Sequence, residues 1–72
     1  MPLRGYSWNE LTEREIEFLK LLAEGKNLGQ ISLHFRYQRQ WAEETRTKIY
    51  AKLEARNAAH AVAVGFRRGI LS

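Results

Sequence analysis

The sequence predicts an all-α domain of four helices, on three observations. Its single proline is Pro2, so nothing after the first residues interrupts a helix. Apolar side chains recur at spacings of three and four rather than two. Residues suited to capping a helix start, Thr12, Asn27 and Asn57, alternate with glycines suited to ending one, Gly25 and Gly69. At 72 residues and 8.4 kDa the chain is at most one domain, and without cysteine it has no disulfide or thiolate metal site to stabilise it. A partner chain is therefore an early expectation.

The elements follow in order. Residues 1–10, with Tyr6 and Trp8 and no helix signal, read as an extension; the domain occupies residues 11–72. Thr12-Glu13-Arg14-Glu15 has the pattern of a capping box, with Leu11 and Ile16 at the flanking apolar positions. It opens a helix of about three turns whose inner stripe is Ile16, Phe18, Leu19, Leu22 and Ala23, ended by Gly25. Asn27 and Gln30 form a weaker box before a short second helix with Leu28, Ile31 and Phe35 inward. Gly29 within it costs roughly 1 kcal/mol of helix propensity relative to alanine, which close approach of another helix would explain. A turn over Arg36 to Gln38 leads to a third helix, about Arg39 to Glu54, with Ala42, Thr45, Ile49 and Leu53 on its inner face. Asn57 caps the last helix, Ala58 to Arg68, which Gly69 ends.

Charge is unevenly placed. The net +4 divides into an acidic stretch over residues 1–25, three basic residues against five acids, and a basic stretch over residues 26–57, seven against three. Arg67 and Arg68 add two more cations. A short turn between the second and third helices is the spacing of a helix-turn-helix, whose second helix enters the major groove of DNA, and the basic stretch falls on this pair. Arg39 and Gln40 lie where base edges are reached, arginine suiting guanine and glutamine suiting adenine. Arg36, Arg46, Thr47 and Lys48 are placed to meet backbone or bases. Glu43 and Glu44 either accept from cytosine, pair at helical spacing with Lys48 or Thr47, or meet a basic protein.

Trp41 is out of phase with the inner stripe of the third helix. It is either an exposed contact for a partner or a ring lying over the second helix, with Gly29 making room. Tyr37 is expected in the core. The last helix is apolar nearly all round, more than one stripe requires, and its small residues let two backbones approach. Ala58, Ala61, Val62, Gly65 and Phe66 are therefore expected to meet a twin helix in a homodimer.

Other classes find little support. All eight acids are glutamate, and no phosphate-cradling glycine loop or nucleophile with a base is present, which argues against an enzyme. His34 and His60 lie too far apart to suggest a metal site, and nothing implies a cofactor. The absence of an apolar run near Arg4, or of one long enough to span a bilayer, predicts a cytoplasmic protein without membrane contact.

Residues 11–71 resemble the LuxR-type (GerE-like) DNA-binding domain without a gap. The residues that carry the likeness are Leu11-Thr12, Arg14-Glu15, Glu17, Leu19, Leu21-Leu22-Ala23, Gly25, Ile31, Ile49, Lys52-Leu53, Asn57, Ala61-Val62 and Gly69-Ile70-Leu71. The resemblance implies a four-helix domain that reads DNA with its third helix and commonly dimerises through its fourth. Where the family usually has Ser-x-x-Thr-Val-Lys-x-His, this chain has Gln38, Trp41, Ala42, Glu43 and Thr45, so a glutamate stands in the place of the family's lysine. In the second helix the family's Ser-Asn-Lys-Glu is Asn27-Leu28-Gly29-Gln30. Two functions follow as expectations. One is a stand-alone transcriptional regulator binding duplex DNA as a homodimer; the other is an interaction module that pairs with a larger LuxR-type regulator, or with the transcription apparatus, without reading DNA itself.

Overall fold

The computed structural model describes residues 11–72, so the expected extension with Tyr6 and Trp8 lies outside the described residues. Among those described, the chain forms four helices and no strand: α1 Glu13–Ala23, α2 Leu28–Phe35, α3 Arg39–Leu53 and α4 Ala58–Arg67. The all-α class is as predicted. Glu54 and Arg68, expected as the last turns of α3 and α4, are instead their C-terminal capping residues.

Three helices begin on side chains that satisfy their first amides. The Thr12 amide donates to Glu15 Oε1 at 2.9 Å while the Glu15 amide donates to Thr12 Oγ1 at 3.1 Å. Asn27 and Gln30 repeat this at 2.9 and 2.8 Å. For α4, Asn57 Oδ1 accepts from the His60 amide at 2.8 Å, and His60 Nδ1 accepts from the Arg56 amide at 3.1 Å. All four helices end alike, on a left-handed residue followed by an amide that reaches back to the carbonyl five positions earlier. Glycine takes that conformation at Gly25 and Gly69, whereas Arg36 (φ 63°) and Glu54 (φ 55°) adopt it with a side chain, at a cost of about 1–2 kcal/mol each.

Helix α1 packs on α3 and α4, α2 packs on α3, and α3 also packs on α4. The fully buried Phe18, Leu19, Ile31, Ala42, Ile49 and Ala61, with Leu53, Val64 and Leu71, fill the space between them. Along α1, Ala23 is exposed rather than inward, and Leu21 is buried instead. Two glycines differ from expectation. A Cβ at Gly29 would meet only Asn27 Oδ1, at 3.3 Å, so that position accommodates the helix's own cap rather than a second helix. A Cβ at Gly65 would stand 2.9 Å from Leu19 Cδ2 and 3.0 Å from Leu71 Cδ1, so α4 closes on α1 and the C-terminal residues there. Ala61 and Gly65, expected at a contact with a twin helix, are thus enclosed by their own domain.

A partly buried ion pair joins α1 to α3 across this packing. Lys52 Nζ lies 2.7 Å from Glu15 Oε1, the oxygen that also accepts the Thr12 amide, so a single carboxylate caps α1 and holds the C-terminal half of α3. Burial alone would raise the Glu15 carboxyl; hydrogen bonds from the Lys52 ammonium and the Thr12 amide, with the charge on Lys52, outweigh it and hold it below its ordinary range. A carboxyl lowered by folding contributes stability that is complete above the unfolded value of about pH 4.3 and is lost as pH falls through the lowered folded value. Lys52→Met should cost about 2 kcal/mol at pH 7. In urea unfolding followed by circular dichroism, the gap between wild type and variant should shrink by more than half on going to about pH 3.

Candidate nucleic-acid interface

The connection between α2 and α3 sets the direction of the third helix. Phe35 closes α2, Arg36 turns left-handed, and Gln38 is extended (φ −74°, ψ 155°) as α3 begins. The Tyr37 amide reaches back to the Ser32 carbonyl at 2.9 Å, which makes this turn tight. Aromatic rings hold its inner side: Trp41 lies 5.2 Å from Phe35 and 5.9 Å from Phe18, centroid to centroid, so it ties the first turn of α3 to α1 and α2. Of the two readings of Trp41, the ring over the end of α2 is the one observed, although Gly29 has no part in making room for it. Tyr37, expected in the core, is 43% exposed. Phe18, Phe35 and Trp41 already fill the junction, so its ring lies outside them, 4.5 Å from Trp41, with the Arg14 guanidinium 5.1 Å away over its face.

With Ala42, Thr45, Ile49 and Leu53 turned inward, α3 presents Arg39, Gln40, Glu43, Glu44, Thr47 and Lys48 to solvent. Arg36 is exposed at the turn beside them, and Arg46 is half-buried at the margin. The fold therefore brings the residues singled out for DNA contact onto one surface, with Arg46 partly withdrawn. Their pairing differs from expectation. Glu43 and Glu44 turn toward the N-terminus of the helix rather than toward Thr47 and Lys48: Arg39 Nε lies 3.6 Å from Glu43 Oε2, and Gln40 Nε2 donates to Glu44 Oε2 at 3.4 Å. Thr47 Oγ1 donates to the Glu43 main-chain carbonyl at 3.1 Å, not to a carboxylate. Among the four helices, α3 is the one whose first turn receives no side-chain cap, so the Arg39 and Gln40 amides and the positive end of its dipole open at the same place.

A second surface runs along α4. Ala59, Ala63 and Phe66 are exposed and Val62 is half-buried, and their spacing of three and four puts them on one stripe. With Ala61 and Gly65 enclosed and Ala58 half-buried, this stripe is the part of the expected dimer helix that remains available. Ala59 and Ala63, among the small residues that make this helix apolar nearly all round, fall in phase with Val62 and Phe66. Leu33, 77% exposed on α2, is another apolar side chain that its sequence position did not mark. Among the described residues no group of side chains is arranged to hold a metal ion, and no helix is long and apolar enough to cross a membrane.

No family model matches the chain, and no solved structure matches it. The chain is similar to a response regulatory protein. That relative, the uncharacterised YgeK of Escherichia coli, is 33% identical over 67 residues, a match covering 93% of this chain and 46% of YgeK. The chain thus spans about half the length of the curated relative it matches.

If Trp41 is a packing residue of the α2–α3 junction, Trp41→Ala should lower stability by about 3 kcal/mol, measured by urea unfolding. A loss below about 0.5 kcal/mol would identify it instead as a surface residue.

Proposed function

We propose that this chain is the LuxR-type DNA-binding part of a transcription regulator, which sets α3 into the major groove of duplex DNA. The observation that carries the reading is the outward face of α3, joined to α2 by a tight turn, with Arg36, Arg39 and Gln40 at an uncapped helix start and Lys48 further along the exposed side of the helix. The likeness to a response regulatory protein supports it. In this arrangement the side chains of Arg36 and Lys48 meet phosphates, which positions the domain. Arg39 and Gln40 side chains then reach base edges, guanine and adenine being their bidentate partners. Lys52 and Trp41 act indirectly, by holding α3 against α1. The reading assigns no catalytic step and no cofactor, and places the protein in the cytoplasm.

The α4 stripe of Ala59, Val62, Ala63 and Phe66 supports pairing with a second copy, which would space two α3 helices about one turn of DNA, roughly 34 Å, apart. The same stripe is the feature that favours the second reading, in which it seats the corresponding helix of a larger LuxR-type regulator.

Anisotropy titration of labelled duplex should show affinity that falls steeply with salt, and Arg39→Ala should weaken binding to a selected site by about 1–3 kcal/mol. Absence of duplex affinity at low salt would refute DNA binding and leave the interaction module. Ala63→Glu should convert a dimer to monomer in light scattering with the helical circular dichroism unchanged. A wild-type protein that is already monomeric at high concentration would remove the homodimer.

A further inference from the structure

We infer that Glu43 and Glu44 are specificity determinants of α3, restraining Arg39 and Gln40 so that the helix engages duplex where bases, and not phosphates alone, replace the pairs it gives up. The inference rests on the DNA-binding reading above. Its basis is the arrangement of four exposed side chains on two successive turns. Each candidate reader lies beside the carboxylate one turn on: Arg39 Nε is 3.6 Å from Glu43 Oε2, and Gln40 Nε2 is 3.4 Å from Glu44 Oε2.

The consequences for a phosphate-rich ligand are electrostatic. Around the open start of α3 the dipole and Arg39 attract anions, but Glu43 offsets the charge of Arg39, and Glu44 adds a negative charge that meets only a neutral amide. A lone phosphate reaching Arg39 must compete with one carboxylate while approaching two, so generic backbone affinity at this end of the helix is low. A guanine offers Arg39 two acceptors in a plane without a charge of its own, and an adenine offers Gln40 a donor and an acceptor. Exchange of the intrahelical pairs is therefore favoured by the right base and disfavoured by bare backbone. Repulsion of the wrong ligand, and not only attraction of the right one, would create the preference. Arg36 and Lys48, which have no such carboxylate partner among the described residues, supply the phosphate contacts that remain.

The test compares wild type with Glu43→Gln, Glu44→Gln and the double variant, each confirmed folded by thermal melting. Anisotropy with a labelled random-sequence duplex is read over a salt series of about 50 to 200 mM. The double variant should bind this duplex about tenfold more tightly, and its logarithmic salt slope should steepen by about 0.9 as Arg39 becomes free to take a phosphate. Glu43→Gln should account for most of the slope change, because it releases a cation where Glu44→Gln releases a neutral amide. Selection from a pool of randomised duplexes should return a more degenerate set of sites for the double variant than for wild type. Equal affinity and slope in all four proteins would overturn the inference while leaving DNA binding intact. Weaker binding by the variants would also overturn it, showing that the carboxylates accept from bases. If none of the proteins binds duplex at low salt, DNA binding and this inference fall together.

Discussion

The Glu15 carboxylate is the joint on which the remaining geometry depends. It closes the capping box of α1 and accepts from Lys52, near the far end of α3, across a sequence separation of 37 residues. Because the oxygen is buried, leaving it without a cation would be costly, and the pair therefore specifies how α3 lies against α1 more sharply than the non-directional contacts of Leu19, Ile49 and Leu53 can. At the other end of α3 the Phe18, Phe35 and Trp41 rings do the corresponding work by packing. Held at both ends, α3 keeps its outward face in a constant direction, as the proposed entry into a groove requires.

The two surfaces of the domain arise from the same economy. A chain of 72 residues has few side chains to spare, and α4 uses one side for the core and the other for a free apolar stripe. The enclosed side is built from Ala61, Val64 and Gly65, where small volume lets α4 approach Leu19 and Leu71. The free side consists mostly of alanine, so its apolar area is modest and its contour flat apart from Phe66, 51% exposed. Along α3 the division is sharper, because Ala42, Thr45, Ile49 and Leu53 recur once per turn on the buried face and the opposite side of the helix is free to carry charge.

The sequence made the helices legible because their signals are local. Thr12 with Glu15, Asn27 with Gln30 and Asn57 before Ala58 announce helix starts within four residues, and each cap forms as its pattern requires. The inner stripe of α3 was likewise readable, since a period near 3.6 records which side faces inward. The glycine stops at Gly25 and Gly69 were visible, but the equivalent stops at Arg36 and Glu54 were not, because nothing in an arginine or a glutamate announces a positive φ. The candidate interface was legible as a set of residues. Its pairing was not, because a carboxylate on a helix can turn to a partner one turn before it or one turn after it, and spacing alone does not choose.

The sequence by itself determined the all-α class, the four helix starts, the inner face of α3 and the concentration of positive charge after Gly25. Tertiary structure alone decided that Tyr37 lies outside the junction Trp41 fills, that Gly65 serves the crossing of α4 with α1, and that Lys52 and not another cation meets Glu15. The physical reason is range. Capping, periodicity and turn chemistry act between residues three or four apart, whereas occupancy of a shared volume and the partner of a buried charge depend on which distant side chains the fold brings together.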